Sequence, residues 1–161
     1  METAYDRMTK FMQGYFADYN RYGGDARTLP KMLKYYLPGI QLYSYTLNAK
    51  RPFGLDRILL AMTHPGLHEE FTPHYYVVDV RRKVVVIQME NQFIEEATGK
   101  AYPPKQLSVH YYLVNDPATG YKIKKILFYV EKRPDDEVKM TNIIQQFQPE
   151  NMPRLITQKE G

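Results

Sequence analysis

The chain has 161 residues, a mass of 19.0 kDa, 43% hydrophobic and 25% charged residues. That is the size and composition of one globular domain, and it excludes intrinsic disorder over most of the length. No apolar run approaches the roughly 20 residues of a membrane span, and the absence of cysteine excludes disulfides, zinc–thiolate sites and thiol nucleophiles.

The net charge of +4 and pI near 9.1 come from dispersed positives. Arg81, Arg82 and Lys83 read as a hairpin turn, and Lys122, Lys124 and Lys125 form no stripe, so no nucleic-acid partner is expected. The opening METAYDRMTK has no apolar signal core, and the cytoplasm is the expected compartment. The chain holds 15 Tyr and 7 Phe but no Trp. Tyrosine joins an apolar ring to a polar tip and suits pockets, interfaces and sheets alike.

In chain order, the first element is a helix over 3–20. Thr3 caps it, and Tyr5, Met8, Phe11, Met12, Tyr15, Phe16 and Tyr19 form one apolar stripe. Gly23 and Gly24 end it, and Asp25 opens a second short helix over about 26–36. Leu37-Pro38-Gly39 reads as a breaker, and 40–47 alternates as a strand. A third helix spans 52–62 and stops at His64-Pro65-Gly66.

Four strands follow, over 70–80, 84–95, 106–115 and 121–131, joined by turns rich in Gly, Pro and Asn. Sequential short connections predict an antiparallel meander, and helices before strands predict an α+β fold. Residues 84–87 and 126–130 are apolar without alternation, so both faces of the sheet need cover. A symmetric partner, hence a homodimer, is the simplest cover for the outer face. Lys124 beside Lys125 breaks the alternation and marks a bulge. A helix over 136–148, carrying Val138, Met140, Ile144 and Phe147, would dock over the mouth of the fold or against the partner; the alternative is a frayed tail with no fixed position. The domain boundaries are thus 1–133 for the body and 134–161 for a C-terminal extension.

The order helix, helix, strand, helix, four-strand meander, together with MQGYFADYNRYGGDARTLPKMLKYYLPGIQLYSY, resembles the nuclear transport factor 2-like superfamily. Within it the SnoaL-like branch is most similar, the branch of polyketide cyclases, ketosteroid isomerases and scytalone dehydratase. The resemblance covers about residues 3–132. It implies a cystatin-like cone, a curved sheet wrapped around the long first helix, with a pocket on the concave side. The implied partner is a small hydrophobic ligand, of carbonyl, polyketide or steroid type. Neither metal nor other cofactor is implied. Because this superfamily hosts both enzymes and inert modules, a lyase, isomerase or cyclase, a plain ligand binder and a dimerisation module all remain open.

Residue by residue, Tyr15 in Met-Gln-Gly-Tyr falls where ketosteroid isomerases place a tyrosine that hydrogen-bonds the substrate oxyanion; the alternative is a core tyrosine. Tyr19, one turn on, carries a weaker version of the same role. His110 falls near the second oxyanion donor of that family, with Ser108 and Tyr112 on its face of the strand; the alternative is a hydrogen-bonded sheet histidine. His74 opens the strand after the third helix, where scytalone dehydratase and many SnoaL-like proteins carry a cavity histidine, or else sits at the rim. Glu90 is a buried base if its face points inward and a solvated residue if it points outward. The aspartate base of ketosteroid isomerases would fall around Tyr43 and Ser44, where no carboxylate stands, and Ser44 is counted only among ligand-binding positions. No general base is assigned, so catalysis is open. His64 and His68 match no metal-ligand spacing.

Overall fold

The computed structural model describes residues 1–44 and 51–131. Helix α1, Ala4–Tyr22, opens with a reciprocal cap: Thr3 Oγ1 accepts from the Asp6 amide at 3.1 Å and Asp6 Oδ2 accepts from the Thr3 amide at 2.9 Å. It buries Met8, Met12, Tyr15 and Phe16, the middle of the predicted stripe, while Tyr5 at its start is exposed. Gly23 closes it by donating to the Tyr19 carbonyl at 2.8 Å. A Cβ at Gly23 would stand 2.8 Å from that oxygen and 3.2 Å from Met62 Cε, so packing excludes a side chain there.

The second helix is shorter than expected and of 3-10 type, Leu29–Tyr35, with Pro30 in its first turn. Strand β1, Tyr36–Ser44, follows directly, so Leu37-Pro38-Gly39 lies inside a strand instead of breaking before one. Pro38 is tolerated because β1 is an edge strand, and the register slips between Tyr36 and Gln41. Helix α2 spans Leu55–Met62, and β2 (Leu67–Asp79), β3 (Val84–Glu95), β4 (Lys105–Asp116) and β5 (Gly120–Val130) form the meander. The sheet order is β1-β5-β4-β3-β2, with β1 parallel to β5 and every other pairing antiparallel.

The predicted bulge is present. Tyr112 pairs with Lys125 and Leu113 with Ile123, leaving Lys124 as the extra residue. A second bulge lies on β2, where Pro73 pairs with Met89 and Tyr75 with Gln88, leaving His74 extra. Such bulges bend and twist a strand, and here they accompany a curved, unclosed sheet. Its concave face packs Val85, Ile87 and Met89 of β3, Leu107, Val109 and Tyr111 of β4, and Ile123 and Ile126 of β5 against α1. Asn20 pins α1 to the free edge of β2: its side-chain amide donates to the Phe71 carbonyl and its side-chain oxygen accepts from the Phe71 amide, both at 2.9 Å.

This is the expected α+β architecture. Residues 45–47 of the predicted first strand, the helix over 136–148 and the extension 134–161 lie outside the described residues. No helix among the described residues is long and apolar enough to cross a membrane.

Candidate functional site

Period-two geometry decides which strand residues enter the interior. On β4 the buried set is Lys105, Leu107, Val109, Tyr111 and Leu113, and Gln106, Ser108, His110 and Tyr112 take the other side. His110 therefore lies on the outer face. Its cross-strand neighbours are Val86 and Leu127, and its ring packs 5.5 Å from that of Tyr129, which is 40% exposed. Tyr112 lies on the same outer face, under the Lys125 ammonium 4.9 Å from its ring centre. Glu90 pairs with Gln106 on the outer face as well, so Gln88, Glu90 and Gln92 are half-buried there and point away from the concave interior. His74 is the exposed bulge residue of β2. Hence Tyr15, His74 and His110 form no common site: Tyr15 packs on Tyr111 of the concave face, with ring centres 5.6 Å apart, and the sheet separates it from His110.

Tyr15 is 3% exposed and its hydroxyl is 2.8 Å from that of Tyr36. Tyr36 Oη also reaches Met62 Sδ at 3.5 Å. Burial raises the pKa of both phenols, and of Tyr111, far enough to keep them neutral hydrogen-bond donors. One turn on, Tyr19 Oη donates to Glu69 Oε1 at 2.7 Å. Burial raises the Tyr19 pKa first, and the charge of Glu69 adds to it. Ser44 points inward from the end of β1 and is buried, with no hydrogen-bond partner for its Oγ among the described residues.

The most polar part of the interior was not anticipated. Glu69 lies on the concave side of β2 with a side chain only 6% exposed. Its Oε1 accepts from Tyr19 and its Oε2 from Asn91 Nδ2 at 3.0 Å. Facing it is His64, wholly buried, with Nε2 3.5 Å from Glu69 Oε1. The local sequence explains the placement. In His64-Pro65-Gly66-Leu67 the Leu67 amide donates to the His64 carbonyl at 3.0 Å, and Gly66 has φ 81°. That is a type II turn, with Pro and Gly where the turn needs them. It folds the imidazole back so that Nδ1 meets the Leu67 carbonyl at 2.7 Å. A carbonyl only accepts, so Nδ1 carries the proton and Nε2 is the atom turned to Glu69. Burial lowers the His64 pKa, but the Glu69 carboxylate outweighs it and holds it above 6.5. Asn91 Oδ1 and His64 Nε2 complete no hydrogen bond among the described residues. Among those residues no group of three or more His, Asp or Glu is placed to hold a metal ion.

The signal for Glu69 was present, since Leu67, Glu69 and Phe71 share one strand face. His64 sits in a loop motif whose chemistry depends on Glu69, Tyr19 and Asn91, which only the fold brings together.

A scan of protein-family models finds no match to this chain, and a search of curated proteins finds none. Solved structures do match. A nuclear transport factor 2-like protein from Anabaena variabilis is 16% identical at a TM-score of 0.59, covering 83% of this chain and 96% of that one. The fold is the nuclear transport factor 2-like α+β cone. A candidate SnoaL-like polyketide cyclase from Jannaschia is 13% identical at a TM-score of 0.54, over 78% of this chain and 85% of that one. A pinacolase from Penicillium brevicompactum is 8% identical at 0.60, over 81% and 87%. At such identities the likeness establishes an architecture and leaves activity to the side chains.

Proposed function

We propose that the concave interior binds a small hydrophobic molecule carrying a carbonyl or hydroxyl oxygen. The observation that carries this reading is Glu69: a carboxylate buried on the concave side and held by Tyr19 and Asn91. A core built only for stability gains nothing from a buried carboxylate, which costs desolvation. Polar groups set in an apolar lining are what orient a small ligand. Tyr15, whose hydroxyl can act as donor or acceptor to Tyr36, is the proposed oxygen-facing donor, while Tyr19 gives its one hydroxyl proton to Glu69. Ser44 stands at the β1 end of the sheet, opposite Glu69 on β2. The cyclase and pinacolase descriptions of similar structures favour carbonyl chemistry of the lyase, isomerase or cyclase kind.

The test is amide chemical-shift mapping with a flat hydrophobic ketone such as 2-tetralone. Shifts centred on Tyr15, Tyr19, Glu69 and Tyr111 are expected. No shifts, or shifts confined to the outer residues His110, Tyr112 and Tyr129, would overturn the reading.

The outer face supports a homodimer as a separate property. Val86, Leu127, His110, Tyr112 and Tyr129 present an apolar and aromatic surface there, and a second copy would cover it.

A further inference from the structure

We propose that His64 and Glu69 are a proton-sharing pair, imidazolium and carboxylate, that exchanges protons with an enolisable carbonyl ligand; this rests on the ligand reading above. The geometry leaves little choice about the free pair. Nδ1 of His64 is spent on the Leu67 carbonyl. If Nε2 carried no proton, its lone pair would face the Oε1 lone pairs across 3.5 Å of buried space. A proton on Nε2 turns that repulsion into attraction. The described groups set around the pair are phenols, one amide and one buried lysine, Lys105, which pairs with Asn91 from β4 on the same interior face. Tyr19 and Tyr15 come from α1, Tyr36 from β1 and Tyr111 from β4, all phenols that burial keeps neutral, and Asn91 comes from β3.

The pair is also unfinished. Each Glu69 oxygen accepts one hydrogen bond, from Tyr19 or Asn91, and keeps a free lone pair, while Nε2 of His64 and Oδ1 of Asn91, both buried, complete no hydrogen bond among the described residues. Buried polar atoms are seldom left so. A ligand oxygen beside Nε2 would supply the acceptor that a protonated Nε2 lacks.

The step balances without a cofactor. A Glu69 oxygen takes the proton from the carbon next to the ligand carbonyl, breaking C–H and forming O–H. The electron pair moves to the carbonyl oxygen, which takes the Nε2 proton. The product is the enol, beside a neutral carboxylic acid and a neutral imidazole still bonded through Nδ1 to Leu67. The charges vanish together, so neither buried group is left as an unpaired ion. Return of both protons regenerates ketone and ion pair.

Two measurements on the full chain test this. Side-chain ¹⁵N spectra, with His64 assigned through His64→Gln, should show both ring nitrogens protonated at pH 7.5 and the Nε2 proton lost in Glu69→Gln. A singly protonated ring in the wild type overturns the pair. Deuterium exchange at the α-carbon of 2-tetralone in D₂O should run at least about 100-fold over buffer and fall to the buffer rate in Glu69→Gln. Bound tetralone with no acceleration, or equal rates in the two proteins, overturns the proton transfer while leaving the ligand reading intact. Failure of tetralone to shift the concave amides overturns the ligand reading and the transfer with it, and the ring spectra still decide the pair. If Glu69→Gln does not fold, the wild-type profile decides. The rate per bound probe should fall as pH rises and His64 loses its proton, and a flat or rising profile contradicts the proposal.

Discussion

The hydroxyls of Tyr15 on α1 and Tyr36 at the start of β1 lie 2.8 Å apart inside the cone, each in a ring that is almost wholly buried. Either phenol can be the donor, and Tyr36 also reaches Met62 Sδ. The pair joins the helix to the edge strand that the 3-10 turn delivers. Tyr15→Phe removes one hydroxyl and leaves Tyr36 with the weak sulfur acceptor. The expected cost is about 1 kcal/mol. Urea unfolding should show a lower midpoint with an unchanged slope, and an unchanged midpoint would mean the bond contributes nothing.

Stability should depend on pH through His64. Its folded pKa is raised above 6.5 by Glu69. The contribution is therefore fully present below about 6.5 and is lost as pH rises through the higher folded value. Thermal unfolding of the wild type should weaken across that interval relative to His64→Gln, in which the pair is absent. Parallel pH curves for the two proteins would show that His64 is not held charged.

Asn20 tests how α1 is held to the sheet. Its two bonds to Phe71 occupy backbone groups on the free edge of β2, two residues from Glu69. Asn20→Ala should cost about 1–3 kcal/mol by orphaning those groups. It should also expose the edge, read as faster amide exchange at Phe71 than at Leu107 of the central strand β4. Unaltered exchange at Phe71 would contradict the pinning role.

His110→Ala should leave concave-side ligand affinity unchanged, because the sheet stands between His110 and Tyr15. Light scattering should give twice the 19.0 kDa of one chain, falling toward one chain mass in Tyr129→Asp on the same outer face. A mass of one chain for the wild type across micromolar concentrations contradicts the dimer, and weaker ligand binding by His110→Ala contradicts the facing.

Much of the fold was legible. The spacing of Met8, Met12, Tyr15 and Phe16 located the buried side of α1, the limits of β3 were read correctly, and Lys124 beside Lys125 announced the bulge. The parallel pairing of β1 with β5 was not legible, because nothing local records which distant strand an edge strand joins. The facing of β4 was readable but misjudged. Leu107, Val109, Tyr111 and Leu113 are uniformly apolar, whereas the alternate set holds Ser108 and His110, and only the first set suits a core. The resemblance of His110 to a cavity position outweighed that alternation. His64 and Glu69 were missed for another reason: a buried polar pair is defined by its partners, and Tyr19 and Asn91 lie far away in sequence.

The most direct test of a ligand site at Glu69 is a crystal structure grown with saturating 2-tetralone or a larger flat ketone. Density is predicted between α1 and the concave face, with the ketone oxygen about 3 Å from His64 Nε2 or a neighbouring tyrosine hydroxyl. An interior closed by the protein's own side chains, with the ketone absent or bound only on the outer face, would contradict it.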